Sequence, residues 1–332
     1  MRKFLKMVLI TLGVLVLVAV LLVMFLLFQF KRNQVKTQTF TASDGAQIQY
    51  ADVGSGNPLI FLHGFGGSIA GETGLINAFK DEYRCIAFDQ RGFGNTPGTD
   101  NACVEQSARD IRDLIDSLGL EDVILFGYSM GSHVVFSYLD QFSTGGLSAV
   151  IIGDMTPKLV NDEAWKLGLY QGWYTQDLYE KDLELITKDY STFYLQLAEQ
   201  MMFPRTPEEP RDFTRTREEL LSDIAERTGT KPEDVKGLLA FMTGTDHTTE
   251  QLELYRRYWK SMGDADYRPL LPNIDVPTAI LQANPGSIYC MATGKYMAEQ
   301  IPGAVLIPMT DSIHTSQVET FSEDIKAFLA GI

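Results

Sequence analysis

The chain has 332 residues, 45% of them hydrophobic, and a formal net charge of −15, which fits one membrane anchor plus one globular domain with a single large core. That acidity argues against nucleic acid or anionic lipid as the main partner, since both need a basic surface, and its simplest meaning is solubility. Cys85, Cys103 and Cys290 cannot all pair with one another and lack metal-type spacing, so no disulfide framework, metal site or cofactor is expected.

Arg2, Lys3 and Lys6 precede an apolar run from Met7 to Phe30 that only Thr11, Gly13 and Gln29 interrupt. The run is long enough to cross a hydrocarbon core of about 30 Å, so residues 1–36 are predicted to be an anchor with a transmembrane helix over about 7–30. A cleaved signal peptide would have a shorter apolar part ending in small residues. Here the run ends in Phe25, Leu26, Leu27 and Phe28. Lys31, Arg32 and Lys36 follow, so charge bias alone does not fix the orientation. A short basic N-terminus favours the cytoplasmic side, which would make this a single-pass cell-membrane protein with an extracytoplasmic C-terminal domain.

Beyond the anchor, Thr37 to Ser43 and Ala46 to Val53 alternate as a hairpin around Asp44 and Gly45. Pro58 to Leu62, Tyr83 to Phe88, Val123 to Phe126 and Ala149 to Ile152 read as strands, with helical stretches at Ser107 to Leu118 and Gly131 to Phe142. Such alternation implies a parallel sheet covered on both faces. From Lys158 to about Pro272 the pattern becomes helical and aromatic, broken at Pro204, Pro207, Pro210 and Pro232. Strand, helix, strand, helix then resume at Thr278 to Leu281, Met291 to Ile301, Ala304 to Ile307 and Val318 to Leu329. The domain division is therefore a sheet core at 37–157 and 273–332, with a helical insertion at 158–272.

Gly127-Tyr128-Ser129-Met130-Gly131 is a G-x-S-x-G between a strand and a helix, the setting of a nucleophile elbow. Large side chains flanking the serine would collide with nearby backbone at so sharp a turn. A serine hydroxyl needs a base. Of four histidines, His63 lies in a turn, His133 on the elbow helix and His247 in the insertion, whereas His314 follows the last strand. There the carboxyl edge of a sheet would bring it beside Ser129. The backbone amides of Met130 and Phe65 are the candidate oxyanion donors, with Gly66 and Gly67 letting that loop approach a substrate.

Together these segments resemble the α/β-hydrolase superfamily from Thr37 to Ile332. His63-Gly64-Phe65-Gly66-Gly67, Asp89-Gln90-Arg91-Gly92-Phe93-Gly94, the elbow, Pro269-Leu270-Leu271 to Val276-Pro277-Thr278, and His314 occur in family order. The resemblance implies an eight-stranded, mainly parallel sheet and makes the insertion after the sixth strand a cap over the site. It also makes Asp89 to Gly94 a structural turn. One departure stands out: the usual acid follows the seventh strand, yet Asn284 to Tyr289 contains no carboxylate. Asp154, directly after the sixth strand, is where some members place the acid, and it could hold the ring N–H of His314. The alternatives are a loop aspartate that merely caps the first cap helix, with Asp311 or Asp275 as the acid.

The function expected is hydrolysis of a carboxylic ester or related small apolar acyl compound through an acyl-enzyme on Ser129. Serine at the elbow counts against dehalogenase or epoxide hydrolase chemistry, which uses a carboxylate nucleophile in this superfamily. Lactone, thioester and carbon–carbon bond hydrolysis share the machinery, and a small-molecule receptor on the same fold is a further alternative. Most cap aromatics, Trp165, Trp173 and Trp259 among them, are expected to form the cap's own core, with some facing the site.

Overall fold

In a computed structural model that describes residues 35–243 and 247–332, the apolar runs assemble into one eight-stranded sheet. The predicted transmembrane helix lies outside the described residues. Among those described, no helix is long and apolar enough to cross a membrane. Strands β1 (Thr37–Thr41) and β2 (Gln47–Gly54) form the antiparallel hairpin around Asp44 and Gly45, where Gly45 takes φ 89°. β2 pairs antiparallel with β4 (Arg84–Phe88). From there β3 (Pro58–Leu62), β5 (Val123–Tyr128), β6 (Leu147–Gly153), β7 (Thr278–Pro285) and β8 (Val305–Ser312) join in parallel, in the order β1-β2-β4-β3-β5-β6-β7-β8. All five residues of β3 are buried, as expected of a strand covered on both faces.

Helices α1 (Thr73–Phe79), α2 (Val104–Leu118) and α3 (Met130–Phe142) connect the first half of the sheet. Chain order reverses about β3: β4 lies on one side of it and β5 on the other. This reversal opens a crevice at the carboxyl ends of β3 and β5, the usual ligand position in such sheets.

Between β6 and β7 the described residues form α4 (Gln176–Lys188), α5 (Tyr190–Met202), α6 (Arg217–Thr228), α7 (Pro232–Thr243) and α8 (Thr249–Asp264). The insertion was expected to be helical from Lys158, but its first α-helix begins only at Gln176. Asn161 explains the delay. Its amide donates to the Leu169 and Tyr174 carbonyls at 3.0 and 3.1 Å and its carbonyl accepts the Gly168 N–H at 2.8 Å, fixing backbone groups that a helix would need.

After the insertion, α9 (Met291–Gln300) and α10 (Ser322–Leu329) flank β8. β8 runs to Ser312 rather than Ile307 because its pairing with β7 continues through Asn284 and Thr310. The expected helix from Val318 splits into a 3-10 turn, Val318–Phe321, followed by α10.

The tightest point is where β5 turns into α3. A Cβ on Gly131 would overlap the Leu62 carbonyl of β3, and one on Gly127 would overlap the Gly131 carbonyl. Gly131→Ala should therefore lower stability by about 3 kcal/mol or more. Gly145→Ala, where a Cβ meets nothing within 4 Å, should change it little. Urea unfolding of both variants checks the contrast.

Candidate active site

Ser129 sits on that turn at φ 53° and ψ −126°, a backbone state that L-residues keep only when their surroundings hold it. Two restraints do so. The Ser129 N–H donates to the Gly153 carbonyl at 2.9 Å. The Ser132 hydroxyl donates to the Gly127 carbonyl at 2.8 Å while accepting the Gly153 N–H at 3.1 Å. Elbow and β6 terminus are thus tied together, and the serine projects at the carboxyl end of the sheet.

His314, in the loop after β8, places Nε2 at 3.0 Å from the Ser129 hydroxyl oxygen. Its Nδ1 lies 2.7 Å from Oδ2 of Asp154, which fixes the tautomer: Nδ1–H donates to the carboxylate and Nε2 faces the serine. Asp154 is fully buried, and its other oxygen accepts from the Ala283 N–H at 3.1 Å and from the Gln282 side-chain amide. Both oxygens are thus engaged by donors, as a buried carboxylate requires.

The His63–Gly67 loop follows β3 and passes against the nucleophile: a Cβ on Gly64 would come within 3.2 Å of the Ser129 Cβ. His63 organises this loop. Its Nε2 accepts the Gln90 N–H at 3.1 Å, leaving Nδ1–H to donate to the Gly64 carbonyl at 2.8 Å, and burial lowers its pKa, so the ring stays neutral. The Phe65 ring packs against Phe93, Phe193, Tyr255 and Trp259, anchoring the residue whose amide was singled out. Phe65, Met130, Ser129 and His314 line one cavity of 160 Å³. Its remaining wall is mainly apolar, with Leu197, Met201, Trp259 and Met262 supplied by α5 and α8.

With this geometry in place, the comparisons with known proteins converge. Residues 57–307 match the family described as alpha/beta hydrolase fold. The chain belongs to that family. A non-heme haloperoxidase of Rhodococcus erythropolis is 34% identical over 48% of this chain and 57% of its own length. A non-heme chloroperoxidase of Kitasatospora aureofaciens is 26% identical over 87% of this chain and 98% of its own. Among solved structures, an esterase from Exiguobacterium antarcticum superposes with a TM-score of 0.69, at 22% identity, over 89% of this chain and all of that one. As a member of a family of hydrolytic enzymes, this α/β-hydrolase is an enzyme.

The remaining sequence candidates lie elsewhere in the hydrolase. Asp311 is exposed. Asp275 accepts from the Thr144 hydroxyl, ahead of β7 and so at its opposite end from His314. Asp154 caps no helix, since the first cap helix starts at Gln176. Asp89 accepts the Ile69 and Asn95 N–H groups, each at 2.7 Å, consistent with a structural turn. His133 donates from Nε2 to the Thr156 carbonyl at 2.8 Å, and burial pushes its pKa down to about 4, as for a helix-packing histidine. Cys85 is buried in β4, where desolvation pushes its thiol up to about 12. Trp165 packs on Tyr296 and Trp173 is 38% exposed, so of the three cap tryptophans only Trp259 reaches the cavity. Among the described residues, no group of three or more His, Cys, Asp or Glu is arranged to hold a metal ion.

Three supports were not anticipated. Gln282 holds Asp154; the Ser287 hydroxyl accepts the His314 N–H at 3.1 Å; and the Tyr128 hydroxyl donates to the His314 carbonyl at 2.8 Å. Burial, with the charge of Asp154, keeps the Tyr128 phenol well above its usual pKa, so it stays a donor. Gln282→Leu should slow phosphonylation of Ser129 by a fluorophosphonate by about tenfold to a hundredfold, the kinetic equivalent of one charge-assisted hydrogen bond. The labelling rate of the folded variant against the wild type checks this.

Proposed function

We propose that this enzyme hydrolyses carboxylic esters of short apolar acyl groups through a covalent intermediate on Ser129. The observation that carries the reading is the continuous line from the Ser129 hydroxyl through His314 to Asp154, at 3.0 and 2.7 Å. Nε2 of His314 takes the hydroxyl proton as Oγ attacks the ester carbonyl, and Asp154 stabilises the imidazolium that forms. The amides of Phe65 and Met130 receive the developing oxyanion. Collapse expels the alcohol, which leaves with the proton from His314. Water, activated by the same nitrogen, then releases the acid and regenerates Ser129.

The names of the relatives are mixed, haloperoxidase, epoxide hydrolase, enol-lactonase and esterase among them, so the choice rests on the site. A 160 Å³ cavity is small beside ordinary ligand pockets of roughly 300 Å³ and more, which supports a short acyl group. Each methylene buried should add about 0.8 kcal/mol until the cavity is full. On an ester series, kcat/KM should therefore peak at short acyl chains and fall beyond; a peak at long chains would contradict the substrate class. Ser129→Ala should abolish both hydrolysis and fluorophosphonate labelling while the protein still folds. Asp154→Asn should cut kcat by up to roughly 10⁴-fold, and Ser287→Ala by much less.

The apolar run from Met7 to Phe30 supports a second part of the proposal, retention in the cell membrane by a single span, and the short basic stretch before it supports a catalytic domain outside. The full chain should then sediment with membranes and resist carbonate extraction. A soluble product whose N-terminus begins after Phe30 would count against it.

A further inference from the structure

Four arginines, Arg205, Arg211, Arg215 and Arg227, line a cavity of 390 Å³ that shares no lining residue with the Ser129 cavity. Three of them pair directly with carboxylates. Glu199, fully buried, pairs with Arg205, with Arg215 at 3.1 Å and with Arg227 at 3.0 Å. Asp223 adds contacts to Arg215 and Arg227 at 3.2 and 3.7 Å. Arg211 differs.

Arg211 is 9% exposed, yet among the described residues its hydrogen bonds go only to neutral acceptors, the Gln200 side-chain carbonyl and the Ser287 backbone carbonyl. Among the described residues its Nε has no hydrogen-bond partner, and neither has that of Arg205. Asp212, also on the cavity wall, accepts the N–H and hydroxyl of Thr214 through Oδ1 and makes no contact with Arg211 among the described residues. Burial and the neighbouring charge of Arg205 push the Arg211 pKa down to about 10. Glu199 and Glu209 favour the charged form only from beyond contact distance, so Arg211 is a desolvated cation with no carboxylate hydrogen-bonded to it among the described residues, and an anion in the cavity would relieve it.

We infer that this cavity binds a small oxyanion, a carboxylate or phosphate group, with Arg211 as its principal contact. The planar guanidinium presents parallel donors that match both groups. The site adjoins the loop that carries the base: the Ser287 carbonyl accepts from Arg211 while its hydroxyl accepts the His314 N–H.

The test titrates the full-length protein in detergent micelles by calorimetry, with inorganic phosphate and with malonate separately, against a background of chloride at equal ionic strength. Saturable one-to-one binding of at least one of the two is expected, and which one binds identifies the ligand as a phosphate or a carboxylate. Arg211→Gln should weaken it by about tenfold or more. Because Arg211 also supports Ser287, Arg215→Gln, nearer the rim, serves as a second variant with a severalfold loss. Absence of saturable binding to the wild type, an equal response to chloride, or undiminished binding in whichever variant is folded would overturn the assignment.

Discussion

The chain reverses direction at Ser129 within one residue, and most of the site follows from making that reversal possible. A backbone held at φ 53° and ψ −126° costs about 1–3 kcal/mol. The cost is met by hydrogen bonds that lock the elbow to the end of β6 and by the closeness of β3, whose Leu62 carbonyl leaves no room for a side chain at position 131. The same compression brings the His63–Gly67 loop against the serine. Nucleophile, loop amides and crevice are thus parts of one packing solution.

The acid reaches His314 across a strand that contributes no carboxylate. Asp154 leaves β6 at φ 36° with its N–H on the Leu281 carbonyl of β7, and its side chain then accepts from Gln282 and Ala283 of that strand. β7 therefore supplies donors to an acid that another strand provides. This accounts for the sequence after β7 being free to read Asn284-Pro285-Gly286-Ser287, where Ser287 accepts the N–H of the histidine itself.

Ser129, His314 and Asp154 were legible because each stands at a strand end, where a short motif or a missing carboxylate carries the information. The sheet was legible for a related reason: buried strands are continuous apolar runs. What stayed hidden depends on register or on distant partners. Gln282 meets Asp154 only because β6 and β7 pair with Gly153 opposite Leu281, and Tyr128 finds its acceptor 186 residues away. Likewise the non-helical start of the insertion hangs on one side chain, Asn161, that no periodicity reveals. The arginine cavity gathers residues from α5, α6 and the segment between them, which in sequence look like an ordinary charged surface.

None of Ser129, His314 and Asp154 comes from the insertion, whereas Leu197, Met201, Trp259 and Met262 of the cavity wall do. The hydrogen-bonded line is therefore built on one scaffold and the shape of the space beside it on another. Substitutions on α5 and α8 can enlarge or reshape that space without moving the serine relative to its base. An evolving or engineered lineage could exchange one acyl preference for another while the reactive geometry stays untouched.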